Sequence, residues 1–420
     1  MHRASMSTDA RTVWYLSKYL TPPKEVGVGS RGYYLMRELA RRGYRCVIVT
    51  SDANHLADAP EFNSPHLLQH KDGMQLYWIR TLKYRSVRSL RRIISWFHFD
   101  LGLLRLSRHI PSRPDVVVAS SLSLTTAIPA IILSRLYRAR FIFEVRDIWP
   151  LTLTEEGGYS RWNPLIVILG LIEKMAYLHA DAIIGTMPNL GEHVREVSKS
   201  TRPVHCVPMG YDTVEDIGTG WPEQLRRSSV PADRFIVGYA GSVGATNALG
   251  TLLETATALE SDPRFHFVIV GGGDLLDDFR RRYGSLSNLS FVGRVPRSSV
   301  AAVLNQFDVL YLSTFPSKVW KYGQSLNKMI DYMLSAKPVV ASYSGYPSML
   351  NEAGAGTFVP AGDAAALTSE IYRLFELSDD EREAMGKQGR EWLLANRSYA
   401  TLATLFESIL FEGDGRGPAR

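Results

Sequence analysis

Cysteine is scarce: the 420 residues hold two, Cys46 and Cys206. Both sit in apolar, strand-like runs, so they read as buried free thiols and argue against a disulfide framework or a cysteine-based metal site. Long hydrophobic runs are missing as well. The longest candidate, Leu165 to Ile172, stops at Glu173-Lys174, well short of the roughly 20 residues that cross a bilayer. The first dozen residues are polar and charged, which predicts a disordered tail over residues 1–11 and no secretory leader. No Asp-x-Asp metal motif stands at a strand end, and no repeat of solenoid period is present. Acidic residues are thin in one half. Residues 1–205 carry 28 Lys+Arg against 17 Asp+Glu, a net of +11, while the whole chain is +6, so residues 206–420 are −5. A basic first half on an acidic second half points to an anionic partner, either nucleic acid or an anionic membrane surface.

What is present fits a large globular protein. A chain of this length exceeds one ordinary domain, and its 45% hydrophobic content can fill two α/β cores of about 200 residues each. The most informative stretch runs from Phe315 to Val340. It follows the apolar run Val309 to Leu312, read as a buried strand. It passes through the turn Tyr322-Gly323-Gln324-Ser325, then enters a helical pattern with Leu326, Met329, Ile330 and Met333 at apolar spacing. Ser325 is the expected N-cap. Lys337-Pro338 ends the helix and Val339-Val340 starts another strand. A helix N-terminus just past a strand end, among Lys318, Lys321 and Lys328, suits a diphosphate. The plainer reading is a strand-turn-helix with solvated lysines.

Elsewhere the chain alternates strands and helices. The strand Val13 to Leu16 leads to a loop with Gly27, Gly29 and Arg31, a helix through Leu35, Met36 and Leu39 that ends at Gly43, and a strand from Cys46 to Thr50. That is a βαβ unit and implies a parallel sheet. The glycines lack dinucleotide spacing and suit close backbone approach. The strand Phe141 to Val145 runs into Arg146-Asp147-Ile148-Trp149-Pro150, charged residues at the edge where α/β sheets bind ligands. Glu144 and Asp147 are candidate acid or base groups and Arg146 a phosphate ligand, the plainer alternative being a buried ion pair. Residues 212–233 read as a linker. A second series then carries Phe235 to Ala240 with Gly241-Ser242-Val243-Gly244, Phe265 to Val270 with Gly271-Gly272-Gly273, and Leu289 to Gly293 with Arg294-Val295. The expected architecture is α/β, two doubly wound Rossmann-like parallel-sheet domains over residues 1–205 and 206–394. A C-terminal helix at about 395–420 is expected to pack back on the first.

These pieces, in this order, resemble the retaining family 4 glycosyltransferases of GT-B fold. Within them the chain is most similar to the group that adds amino or deoxy sugars to bacterial O-antigen and capsule repeat units. FEVRDIWP and KYGQSLNKMIDYM followed by KPVV are the specific matches; GVGSRG, ADAIIGT, GYAGSVG, IVGGGD and FVGRVP add order. The resemblance implies a nucleotide-sugar donor, UDP-linked by expectation, in the second domain. Arg294 and Val295 would hold the base, Asp331 the ribose, and Gly241, Ser242, Lys321, Tyr322, Gly323, Gln324, Ser325, Asn327 and Lys328 the diphosphate and sugar. The family has a glutamate where Gly323 stands, and often a basic residue where Ala245 and Thr246 follow Gly244. That shifts the phosphate load to Lys321, Lys328 and the helix dipole. Lys328, Asp147 and Glu144 are the implied catalytic set, with either carboxylate orienting the acceptor; no metal or other cofactor is implied. Gly27, Gly29, Arg31, Arg146 and Trp149 would line the acceptor side.

The acceptor is expected to be a saccharide on a polyprenyl diphosphate, which places the protein in the cytoplasm, peripheral on the inner membrane face. The helical stretch from Ser86 to Arg108 shows why. Leu90, Ile93, Ile94, Phe97, Leu101 and Leu104 form one stripe, enough to pack the helix on its domain. Trp96, Phe99, Leu103 and Leu106 gather on the other side beside Arg88 and Arg92. From Arg80 to Arg113 there are nine basic residues and one acidic, which an anionic lipid surface selects. Two other classes compete. A sugar-nucleotide 2-epimerase shares the architecture but needs a carboxylate where Gly323 stands. A nucleic-acid-binding protein fits the basic half and would bind in a salt-sensitive way.

Overall fold

The computed structural model describes residues 10–23, 30–54, 59–84, 89–121, 123–212, 220–221 and 230–412. Gly27, Gly29, Arg88 and most of the expected linker lie outside these. The chain divides into two compact units, residues 1–212 with 399–420, and residues 213–398.

The first unit is built on an eight-stranded sheet of order β3-β4-β2-β1-β5-β6-β7-β8. The strands are β1 (Thr12–Leu16), β2 (Arg45–Ser51), β3 (His66–Lys71), β4 (Met74–Ile79), β5 (Val116–Ser120), β6 (Arg140–Val145), β7 (Ala182–Gly185) and β8 (Val204–Cys206). All neighbours are parallel except the β3–β4 hairpin. The helices are α1 (Arg31–Arg41), α2 (Leu90–Leu106), α3 (Ala127–Tyr137), α4 (Leu151–Glu155), α5 (Pro164–His179) and α6 (Leu190–Ser198). β1 sits centrally, so both its faces are covered. Val13 and Tyr15 join the core formed with α1 and the C-terminal helix Tyr399–Leu410. On the other face Trp14 meets Tyr137 of α3 edge-on at 5.5 Å. The C-terminal helix is pinned to α1 by a Tyr34–Tyr399 stack at 4.8 Å and an Arg42–Glu407 ion pair at 2.6 Å. Gly43, with φ +93°, ends α1 as its C′ residue.

α2 faces the opposite way from the sequence expectation. Trp96, Phe99, Leu103 and Leu106 are buried, while Leu90, Ile94, Phe97 and Leu101 are exposed. Trp96, Phe99 and Leu103 therefore belong to the core and are not a membrane face. Small residues explain the orientation. Ser95 lies on the inner face, and a Cβ at Gly102 would fall 2.6 Å from the Ile79 side chain, so this side alone lets α2 approach β4 closely. The large inner residues also find partners. Trp96 Nε1 donates to the Tyr19 hydroxyl at 2.8 Å and its ring lies 5.7 Å from that of Trp149.

The second unit is a six-stranded, all-parallel sheet of order β11-β10-β9-β12-β13-β14. Its strands are β9 (Phe235–Ala240), β10 (Phe265–Val270), β11 (Leu289–Gly293), β12 (Val309–Ser313), β13 (Val339–Ser342) and β14 (Gly356–Val359). The helices between and after them are α7 (Gly250–Ala258), α8 (Leu276–Tyr283), α9 (Val300–Leu304), α10 (Asn327–Leu334), α11 (Met349–Ala353), α12 (Ala364–Glu376) and α13 (Asp379–Asn396). β9, β10 and β12 are apolar apart from His266 and Ser313 and are buried on both faces, as parallel strands between helix layers must be.

Candidate active site

The site in the second unit is assembled from the tips of three adjacent strands and one helix start. β9 ends in Gly241-Ser242-Val243-Gly244. The Gly241 amide donates to Val270 O at 2.9 Å, that of Val243 to Gly272 O at 3.0 Å, and that of Gly271 to Gly293 O at 2.8 Å. These bonds knit the loops after β9, β10 and β11 into one floor. Glycine is required there. Gly271 has φ +139°, and a Cβ on it would meet Gly241 O at 1.8 Å. The exposed Arg294 side chain lies over Gly272, where a Cβ would come within 2.6 Å of its Nε. Val295 follows, half-buried.

β12 leads into a 3-10 turn over Lys318–Tyr322, started by Ser317, whose side chain accepts from the Val319 amide. Lys321 lies 5.6 Å over the ring of its neighbour Tyr322. Gly323 then adopts φ +100° and ψ −177°, a region that side-chain-bearing residues rarely enter. The backbone itself thus accounts for glycine at this position. Gln324 is buried, and among the described residues neither its amide nitrogen nor its amide oxygen has a hydrogen-bond partner. A buried amide left open at both ends costs about 1–3 kcal/mol per group, which marks Gln324 as a residue awaiting a partner. The expected cap is corrected here: α10 starts at Asn327 with Leu326 as N-cap and no side-chain cap. The Met329 amide donates to Leu326 O at 3.1 Å, and the Leu326 side chain cannot accept from the earlier amides of this turn.

Lys328 is the cation at this helix start. Tyr332, one turn on, holds α10 against β9: its hydroxyl accepts from the Ala240 amide at 3.0 Å and donates to Ala240 O at 3.1 Å. This brings Lys328 Nζ under the β9 loop, where it donates to the Tyr239 hydroxyl at 3.0 Å and to Asn247 Oδ1, 4.8 Å above the Tyr239 ring. Burial lowers its pKa to about 8, and no carboxylate contributes to the shift. Tyr239 and Asn247 went unnoticed in the sequence, being 89 and 81 residues away in the chain. Asp331 is held by Arg297 through a two-pronged ion pair, Nη1 to Oδ2 at 2.7 Å. The structure thus brings Gly241, Ser242 and Lys328 together with Arg294 close by, and places Asp331 on the next turn of the same helix.

The expected acceptor residues lie in the first unit. Glu144 is fully buried; it is ion-paired to Arg31, and the Tyr15 hydroxyl donates to it. Burial opposes its ionisation, but Arg31, Tyr15 and Arg146 outweigh that and lower its pKa. Both oxygens are committed, so Glu144 is a structural anion and is not open to an acceptor hydroxyl. Arg31 bonds Pro208 O at 3.0 Å, and among the described residues its buried Nη2 has no partner. Asp147 is half-buried and burial raises its pKa. The Arg146 amide donates to Ser121 Oγ at 3.0 Å. Arg92 sits 5.6 Å from each of the Tyr19, Trp96 and Trp149 rings. The sequence reading missed Lys18, which is buried behind them; it donates to Ser51 Oγ and Ala53 O at 3.1 Å, and burial lowers its pKa to about 7. Among the described residues no three His, Cys, Asp or Glu side chains cluster as a metal site.

Two family models match the chain: Glycosyltransferase Family 4 over residues 27–215 and Glycosyl transferases group 1 over residues 234–377. No curated protein sequence matches it. Among solved structures, sucrose-phosphate synthase from Thermosynechococcus elongatus is similar over 95% of this chain and 98% of its own, with 18% identity and a TM-score of 0.71. An E. coli trehalose-6-phosphate structure bound with UDP-2-fluoro glucose covers 96% and 99%, with 12% identity and a TM-score of 0.72. Anabaena HepE, solved with UDP and glucose, covers 95% and 99% at 13% identity and a TM-score of 0.63. At such identities the likeness concerns the fold, the two-domain GT-B architecture.

Proposed function

From the premise that the chain is a glycosyltransferase of the family 4 type, we propose that it moves a sugar from a UDP-linked donor to a saccharide carried on a polyprenyl diphosphate. The setting proposed is bacterial surface polysaccharide synthesis, O-antigen or capsule, at the cytoplasmic face of the inner membrane. The observation that carries the donor half is Lys328, a cation held by neutral partners at an uncapped helix start beneath a glycine loop. Such a group keeps its charge available for an incoming anion. UDP in one similar structure and UDP-2-fluoro glucose in another support the choice of nucleotide.

In the reaction the acceptor hydroxyl oxygen bonds the anomeric carbon as the bond from that carbon to the diphosphate oxygen breaks. The hydroxyl proton passes to the departing phosphate oxygen. Negative charge grows on the diphosphate and oxocarbenium character on the sugar. Lys328 and the first-turn amides of α10 are aimed at that growing charge, with no reorganisation needed at the moment of reaction. Lys321 and the backbone at Gly241 and Ser242 complete the phosphate cradle, Asn327 and Gln324 meet the sugar, Arg294 and Val295 meet the base, and Asp331 meets the ribose. The positive charge needed comes from these groups, so the proposal assigns no metal ion. Attack on the leaving-group face retains the anomeric configuration. Asp147, with its raised pKa, is left as the carboxylate to orient the acceptor beside Arg146 and Trp149.

A thermal-shift screen with UDP-, GDP- and dTDP-sugars tests the donor assignment. UDP-sugars should give the largest rise in Tm. No shift with any of the three would sink the proposed donor site.

A further inference from the structure

We infer that the outer faces of α2, α3 and α5 form a docking surface for an anionic lipid bilayer. It adds to the function just proposed and rests on that reading only for the purpose of the attachment; the observations belong to the first unit alone. Ten of the sixteen large apolar side chains exposed among the described residues lie on these three helices, so the exposure is concentrated, not scattered. On α2 they are Leu90, 77% exposed, with Ile94, Phe97 and Leu101. α3 adds Ile132 and Leu136, and α5 adds Val167, Ile168, Leu171 and Leu178. α2 packs against α3 and α3 against α5, so the three faces adjoin. Just before α5, Trp162 is 76% exposed with Arg161 over its ring at 5.1 Å, a pairing suited to the headgroup level of a bilayer.

Charge selects the occupant. The exposed Lys and Arg on these helices are Arg91, Arg105, Arg135 and Lys174, and their two acids, Asp100 and Glu173, are both buried. An ordinary solvated face mixes both signs. A second copy of the chain would set like charges against each other across a self-complementary contact. Apolar ridges with cations only are what anionic lipid headgroups and their acyl boundary favour. No helix among the described residues is long and apolar enough to cross a membrane, and a peripheral surface needs none.

The test is flotation of the full chain with vesicles of phosphatidylglycerol mixed into phosphatidylcholine, and with phosphatidylcholine alone. Wild type should float with the mixed vesicles and weakly with the neutral ones. Phe97→Ser/Leu101→Ser should stay at the bottom, and Arg91→Ala/Arg135→Ala should lower partitioning by roughly thirtyfold. These side chains are exposed, so folding should survive, and a retained Tm rise with UDP reports that directly. Equal flotation of wild type and variants, equal binding to neutral vesicles, or a dimer of wild type that the Phe97→Ser/Leu101→Ser variant dissociates would each overturn the docking surface. Flotation intact with no response to UDP would instead overturn the donor reading and leave this surface standing.

Discussion

Arg31 in the first unit and Lys328 in the second are both withdrawn from solvent near the tip of a parallel strand, yet they are treated in opposite ways. Arg31 is fully buried with its own carboxylate, Glu144, which the Tyr15 hydroxyl also bonds. Lys328 has a phenol and an amide as partners and, among the described residues, no acid. A buried cation must be compensated by something. Where the chain supplies the anion the group is structural; where it supplies only neutral dipoles, the charge is left for a ligand. Charged residues at strand ends look alike in sequence, and only their partners tell the two cases apart.

The largest effect is expected from breaking the structural pair. Glu144→Gln removes the anion and leaves Arg31 buried and unpaired, which costs about 3–5 kcal/mol. Urea unfolding should show that loss in the first unit, while UDP affinity of the unfractured second unit stays within a factor of two or so of wild type. A stable Glu144→Gln protein with lost transfer activity would mean that Glu144 does meet the acceptor after all.

Lys328→Ala is the counterpart in the second unit. It removes a charge that the native state leaves uncompensated, so stability should change little. The activation free energy should rise by about 2–4 kcal/mol, seen as a higher KM for the donor together with a lower kcat. Steady-state kinetics within a factor of two of wild type would remove Lys328 from the mechanism.

The same contrast predicts a pH dependence. Burial disfavours the charged form of Lys328 and holds its pKa at about 8 in the free protein. A bound diphosphate favours that charged form and raises the pKa. Below about pH 8 the lysine is already protonated and donor affinity should be flat. Above it each binding event must take up a proton, and affinity should fall toward tenfold per pH unit, until the pKa of the complex is reached. Calorimetry of UDP binding in buffers of different ionisation enthalpy would detect the uptake. A flat profile from pH 7 to 9 is incompatible with Lys328 on the phosphates.

Much of the fold was legible because buried parallel strands are short apolar runs between turn residues. Phe235–Ala240, Phe265–Val270 and Leu289–Gly293 could be read directly. The hairpin of β3 and β4 was not, since β3, HLLQHK, is largely open to solvent and carries no such run. The orientation of α2 was misread for a different reason. Both its sides are apolar, so periodicity finds two stripes and cannot rank them. Ser95 and Gly102 on the Trp96 side were the signal, because small residues mark the face that comes close to a sheet. In the site, the glycine loops, Lys328 and Asp331 could be placed along the chain. Tyr239, Asn247 and Arg297 could not, because they reach the site from distant segments through tertiary packing.

The smallest effect concerns Asp331, and its sign carries the argument. Without ligand the carboxylate is clamped by Arg297, whose side chain is 40% exposed. An ion pair this open contributes at most about 1 kcal/mol, so Asp331→Asn should leave the Tm nearly unchanged. If Asp331 accepts from the ribose hydroxyls, the substitution should still weaken UDP binding by about 1.5–3 kcal/mol, the range for a hydrogen bond to a charged group. Arg297→Ala then separates the two roles. The ribose must share or displace the guanidinium, so freeing the carboxylate should leave UDP affinity unchanged or raise it slightly. A mere surface pair predicts something else, namely that Asp331→Asn and Arg297→Ala behave alike, each with a small loss of stability and no change in binding. Titration of both variants with UDP distinguishes the outcomes, and equal affinities for wild type and Asp331→Asn would return Asp331 to the surface.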